Sequence, residues 1–286
     1  ISIKKILKKE KIFILKSKQL NSIKKFNKII IIDSYSIKKK IKNFIDKSFF
    51  SVIFDDYNKK NNHSNIIIRN NLGTMQKNNS EPNQLVGNKY CIIRKEILKN
   101  KVSNFIKKKP KFIYITFGGF NKKKEIENFF NNLKKTKYFF NNPIKFYINI
   151  KMFRKEVKKI FKNFQNIQIK FVDLKIGNNF KFNKIDMAIN AGGVTSAEMV
   201  YLKIPQIVML LSADQKNNSN FVKENQLGSV FCKTIVKKNI KTHSDVDNFI
   251  KYYTIFKKNL LKKNWLDGLG ASRIASKILK VYNNEK

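Results

Sequence analysis

The chain has 286 residues, 42% of them hydrophobic, enough for one large or two ordinary domains with a substantial core. Its formal net charge of +42, from 61 Lys and Arg against 19 Asp and Glu, invites a nucleic-acid reading. Yet only Arg69, Arg94, Arg154 and Arg273 are arginine, and the lysines are dispersed, which excludes a specific nucleic-acid partner in favour of compositional drift toward Lys, Asn, Ile and Phe.

In chain order, Ile3 to Lys9 reads as a helix and Ile12 to Leu15 as a short strand. Lys28 to Asp33 is a continuous apolar run, as expected of a strand buried on both faces. A helix over Ile37 to Asp46 follows, then strands over Phe49 to Phe54 and Asn65 to Ile68. After Pro110 the rhythm restarts with strand Lys111 to Phe117, the turn Gly118-Gly119 and helix Lys122 to Lys134. Strand Ile144 to Ile150, helix Arg154 to Asn163, strand Ile167 to Val172 and strand Met187 to Asn190 come next. Helix Thr195 to Leu202, strand Gln206 to Leu211 and helix Asn217 to Asn225 follow, with Gly228 as a C-cap, before closing helices Ser244 to Leu260 and Gly270 to Tyr282.

Such alternation predicts an α/β protein with parallel sheets covered by helices on both faces. The restart near Val102 to Pro110 divides it into two doubly wound, Rossmann-like units, residues 1–104 and 105–286. The first unit opens without a leading strand or a glycine loop, and residue 1 is Ile. It is therefore expected to start mid-pattern, lacking one βα unit of on the order of 30–50 residues.

No apolar run reaches the ~18 residues of a membrane span, and the first twenty residues lack the apolar stretch and cleavage site of a secretory signal. Cys91 and Cys232 are far apart in apolar surroundings and read as free thiols in a reducing cytoplasm. His63 and His243 stand alone, so no metal site is expected.

Only ten residues are glycine, and six fall in three clusters: Gly118-Gly119, Gly192-Gly193 and Gly268/Gly270. In open parallel sheets ligands bind at the carboxyl ends of strands. Three loops meet that rule: Phe117 to Asn121, Asn190 to Glu198, and Leu210 to Gln215. A glycine pair between strand and helix lets the backbone approach a phosphate, while the helix N-terminus supplies N–H donors. Thr195 and Ser196 can cap that helix and donate to phosphate, and Glu198, about one turn in, can accept from ribose hydroxyls. Each residue has a plainer reading: a tight turn for the glycines, a solvated helix charge for Glu198.

Seven segments in order resemble the nucleotide-sugar hydrolase of pseudaminic acid synthesis and its spore-coat polysaccharide relatives, themselves similar to the family 28 glycosyltransferases. They are Ile32-Asp33-Ser34-Tyr35, Val52 to Asp56, His63 to Asn70, Tyr90 to Glu96, Thr116 to Gly119, Asp186 to Gln215, and Asp267-Gly268-Leu269-Gly270-Ala271-Ser272-Arg273. The resemblance implies a GT-B-like fold and hydrolysis of a UDP-activated deoxyamino sugar by a cytoplasmic monomer, without metal or organic cofactor. It implies that Glu198 takes the ribose hydroxyls. Gly192, Gly193, Thr195 and Ser196 would line the diphosphate region, Gly118 and Gly119 at the opening of the second domain would contact substrate, Gln215 would face the sugar or phosphate, and Tyr35 and Asp33 would face the cleft. Asn121 stands where the family has Asp, which weakens that contact. The family's water-activating His, in a Gly-x-Gly-His-x-x-Arg loop, has no counterpart here, and His63 matches a different, structural histidine, so turnover by these 286 residues is expected to be low. A GT-B glycosyltransferase using the same donor and a non-catalytic nucleotide-sugar or polyanion binder are the alternatives.

Overall fold

The computed structural model describes residues 29–33, 50–55, 64–74, 83–100, 102, 104–119, 123–149, 153–172, 180–232 and 242–284. They form two parallel sheets. The first, of four strands, runs β1 (Ile29–Ile32), β2 (Phe50–Phe54), β3 (Ile66–Arg69), β4 (Gln84–Val86) in spatial order. A short helix α1 (Lys95–Leu98) follows it. The second unit contains β5 (Phe112–Thr116), α2 (Lys123–Leu133), α3 (Lys137–Phe140), β6 (Ile144–Asn149), α4 (Arg154–Ile160) and β7 (Ile167–Phe171). It continues with β8 (Met187–Asn190), α5 (Val194–Tyr201), β9 (Gln206–Leu210), α6 (Lys216–Glu224), β10 (Gly228–Cys232) and α7 (Thr242–Lys262), and the chain closes on α8 (Gly270–Asn284).

The second sheet has the order β10-β9-β8-β5-β6-β7, with every adjacent pair parallel. Its inner strands β5, β8 and β9 are buried on both faces because helices cover both, whereas β7 at the edge alternates, with Gln168 and Lys170 exposed. Ile113 and Ile115 of β5, Met187 and Ile189 of β8, and Ile207 and Met209 of β9 face a core shared with α2, α4 and α7. The intervening Tyr114, Ala188 and Val208 face the opposite core, shared with α5 and α6. That second core also takes Leu72, Cys91, Ile93 and Ile97 from the first unit, so apolar packing continues across the junction.

The helix α8, grouped in sequence with the second unit, packs on the first sheet. Ile274, Ile278 and Val281, one stripe at helical spacing, cover Phe50, Val52, Ile66, Ile68 and Leu85. Its seat is the Asp267-Gly268-Leu269-Gly270 turn. A side chain at Gly270 would fall 2.1 Å from the Cys91 carbonyl oxygen, and Asp267 accepts from Leu269 N and from both terminal nitrogens of Arg273. This closing motif therefore holds a helix end against the first unit.

Two local expectations are corrected. Gly228 does not cap the helix before it: Asn225 is the C-cap, and Gly228 opens β10, where a side chain would fall 1.9 Å from the Gln206 carbonyl oxygen. Neither Thr195 nor Ser196 caps α5, whose N-cap is Gly193 with no side-chain hydrogen bond. The helix Ile3 to Lys9, strand Ile12 to Leu15 and helix Ile37 to Asp46 lie outside the described residues.

Candidate functional site

The sheet order sets where a ligand can enter. The chain runs β5, β6, β7 outward in one direction, then returns to place β8 on the other side of β5 and continues to β9 and β10. The order reverses between β5 and β8, and the loops leaving those two strands diverge there, opening a crevice at their carboxyl ends. The loop after β5 carries Gly118-Gly119, and the loop after β8 carries Gly192-Gly193. Since Ile115 pairs with Ile189, the two turns lie at equivalent heights on neighbouring strands.

Within each pair the two glycines differ. Gly118 (φ +60°) and Gly192 (φ +76°) turn the chain through the left-handed region, which favours glycine. Gly192 is also hemmed in: a side chain there would meet Val208 Cγ1 at 2.8 Å and Ser219 Oγ at 3.0 Å. The second glycines have no such need. Neither Gly119 nor Gly193 has positive φ, and among the described residues nothing lies within 4 Å of a side-chain carbon built on either. Among the described residues, packing does not require glycine at these two positions, and the space in front of them is open.

Beneath the β8 turn lies a buried amide network. Gly192 N donates to Asn190 Oδ1 at 2.8 Å, while Asn190 Nδ2 donates to Gln206 Oε1 at 2.7 Å. Ser196 Oγ donates to the same Gln206 oxygen at 2.9 Å, and Gln206 Nε2 returns a bond to the Ser196 carbonyl at 3.1 Å. Ser196 thus supports the turn from below and is fully buried. Gln215 likewise serves its own loop, accepting from Leu211 N and Ser212 N at 2.9 and 3.1 Å. Thr195 is half-buried at the start of α5, next to exposed Val194. With no side-chain cap, the first turn of α5 presents N–H groups and the positive end of its dipole to the open space.

Asn218, which the sequence reading did not single out, ties this turn to the first unit. Its Oδ1 accepts from Leu72 N at 2.7 Å, and its Nδ2 donates to the carbonyls of Gly192 at 2.9 Å and Gly193 at 3.3 Å. A single buried amide thus connects the segment after β3 to the glycine turn.

Glu198 is not a solvated charge. It is fully buried, and both carboxylate oxygens are occupied by Arg94 of the first unit. Arg94 Nε donates to Oε1 at 2.5 Å and Nη2 to Oε2 at 2.7 Å. The guanidinium is held above its already high ordinary value mainly by these hydrogen bonds. Arg94 was also missed, although arginine's rarity carried a signal. Three of the four arginines sit in multi-point carboxylate contacts: Arg69 with Asp55, Arg94 with Glu198 and Arg273 with Asp267.

Asp186, at the start of the resembling segment, lies at the amino end of β8, away from the turn. It binds Lys111 N and Phe112 N through Oδ2 and Lys107 Nζ through Oδ1, anchoring the connection between the units. Asp33 is exposed just after β1. Tyr35, His63 and Asn121 lie outside the described residues. Burial raises the Cys91 thiol and the Tyr114 phenol each to about 12, so both are protonated at neutral pH. Among the described residues no group of three His, Cys, Asp or Glu side chains is placed to hold a metal ion, and no helix is long and apolar enough to cross a membrane.

MurG of Acinetobacter baumannii superposes with a TM-score of 0.62 at 12% identity, over 96% of this chain and 76% of its own. S. aureus MnaA, in a co-structure with UDP, gives 0.56 at 12% identity over 99% and 87%. The spinosyn rhamnosyltransferase SpnG gives 0.52 at 11% identity over 90% and 73%. The fold is GT-B. No family model matches the sequence, nor does any curated protein sequence.

Proposed function

We propose that this chain binds a UDP-activated deoxyamino sugar across the carboxyl ends of β5 and β8 and hydrolyses it at the anomeric carbon. The observation that carries the binding reading is the open space before Gly119 and Gly193 at the switch point of the sheet, where neither conformation nor packing requires glycine. A diphosphate fits that space chemically: backbone can approach it closely, and the uncapped end of α5 supplies N–H donors. An anion at such an end gains roughly 0.3–1 kcal/mol when exposed and up to ~2 when partly buried. MnaA, a neighbour of the same fold, is known in complex with UDP, which supports the nucleotide assignment.

In this reading Gly118, Gly119, Gly192 and Gly193 surround the diphosphate, and Thr195 adds a hydroxyl. Glu198 takes the ribose diol. Ser196, Gln206, Asn190 and Gln215 hold the turn in shape. Asp33 and Tyr35 contribute from the first unit. Water adds to the anomeric carbon, the bond to the diphosphate oxygen breaks, UDP leaves and a proton passes to solvent. The hydrolase assignment rests on the seven resembling segments, and with it come a pseudaminic-type surface sugar as destination and a cytoplasmic monomer that needs no metal. The alternative, glycosyl transfer from the same donor, draws support from the rhamnosyltransferase SpnG among the neighbours.

A UDP-release assay on a panel of UDP-deoxyamino sugars, run with and without candidate sugar acceptors, separates the readings. Release without an acceptor supports hydrolysis, and release only with one supports transfer. UDP binding without release from any donor leaves a binding protein.

A further inference from the structure

The burial of Glu198 conflicts with a direct ribose contact. Its carboxylate is fully buried, and Arg94 closes it off with a two-point fork. A ribose diol brings two adjacent O–H donors and would seek the same two oxygens, so the diol and the fork compete for one carboxylate. We propose that Arg94 is a built-in competitor for the nucleotide's ribose diol, and that ligand binding exchanges one two-donor partner of Glu198 for another. This deepens the UDP-sugar reading and rests on it.

The two partners are suited to such an exchange. Glu198 sits on α5 between β8 and β9, in the interior of the second unit. Arg94 comes from the first unit, in an extended conformation just before α1, and its side chain is 41% exposed. It can therefore leave to solvent without disturbing either core. The diol keeps both carboxylate oxygens hydrogen-bonded, but it is neutral and does not replace the guanidinium's charge, so displacing Arg94 costs the ligand part of its binding energy. Selectivity follows. A ligand with two neighbouring hydroxyls can replace the fork, whereas one without them leaves Arg94 in place. Because the ion pair spans the two units, the exchange also loosens one of the ties between them.

The test is calorimetry with UDP and 2′,3′-dideoxy-UDP on the wild-type chain, Arg94→Gln and Arg94→Lys, with thermal melting to confirm that each variant is folded. Removing the fork should tighten UDP binding by on the order of tenfold, with a smaller gain for Arg94→Lys, which keeps the charge but loses the planar two-point fork. Dideoxy-UDP should bind the wild-type chain more weakly than UDP and should not gain from either substitution. Weaker UDP binding by folded Arg94→Gln would overturn the proposal, because Arg94 would then assist the ligand. Equal wild-type affinity for the two nucleotides would overturn it as well, because the diol would then not reach Glu198. Failure of every folded variant to bind either nucleotide would instead contradict the UDP-sugar reading itself, and this inference with it.

Discussion

At Gly192 and Gly193, adjacent glycines answer to different demands. Gly192 combines φ +76° with a side-chain position 2.8 Å from Val208 Cγ1, so Gly192→Ala strains the backbone and crowds the core. Chemical denaturation should show a loss of roughly 1–3 kcal/mol. Gly193→Ala, facing open space at negative φ, should stay within about 0.5 kcal/mol of wild type. The sequence made the pair visible because glycine is so scarce in this chain. It could not tell the two members apart, since that depends on Val208 and Ser219 arriving from other elements. Arg94 was hidden for a related reason: its partner is 104 residues away, and nothing local distinguishes a paired arginine from a solvated one. The sequence pattern aims Ser196 at phosphate, yet its hydroxyl turns inward to Gln206, a direction that only the placement of β9 determines.

Among the elements, the apolar runs that became β2, β5, β8 and β9 were legible because burial on both faces leaves little room for polar residues. Two short strands were not. β4 is three residues long, and β10 begins with a glycine that also suits a helix end. The segment of α8 was legible as a closing helix but not as the cover of the first sheet. Ile278→Ala should cost about 2–4 kcal/mol in urea unfolding, because the methyl groups removed fill the seat between that helix and the four strands. The ends of α5 and α7 are tied by two lysines: Lys257 Nζ donates to the Lys203 carbonyl and Lys203 Nζ to the Lys263 carbonyl, each at 2.7 Å. Burial lowers Lys257 from 10.5 to about 8, with Lys203 and Lys107 adding to the shift and Asp186 opposing it. Between about pH 8 and 10.5 the unfolded chain therefore holds this proton more tightly than the folded one, and stability rises with pH. Burial of Cys91 raises its thiol from 9 to about 12 and works the other way above pH 9. Lys257 should thus show itself between pH 8 and 9, as a gain on the order of 1 kcal/mol that Lys257→Met lacks in denaturation curves at the two pH values.

For the whole molecule, the two units are joined by apolar packing around Leu72, Cys91, Ile93 and Ile97, by the Asn218 amide, by the Arg94–Glu198 pair and by the return of α8. The first three meet in the region of α5, beside the turn at the switch point of the second sheet. The alternation of strands and helices announced two such units, but the ties between them are long-range and have no local pattern. The charge of +42 draws any polyphosphate to the surface, so the specific site must be probed at moderate salt, where exposed charges are screened. The measurement that bears most directly on the central claim is calorimetric titration of UDP into the wild-type chain and into Gly193→Val, with melting curves for both. The first side-chain carbon of a residue there meets nothing among the described residues, and a valine would extend into the space assigned to the diphosphate. The account predicts that UDP binds the wild-type chain, and that the variant melts like it but binds UDP at least about tenfold more weakly. Undiminished binding by folded Gly193→Val, or no UDP binding by the wild-type chain, would contradict it.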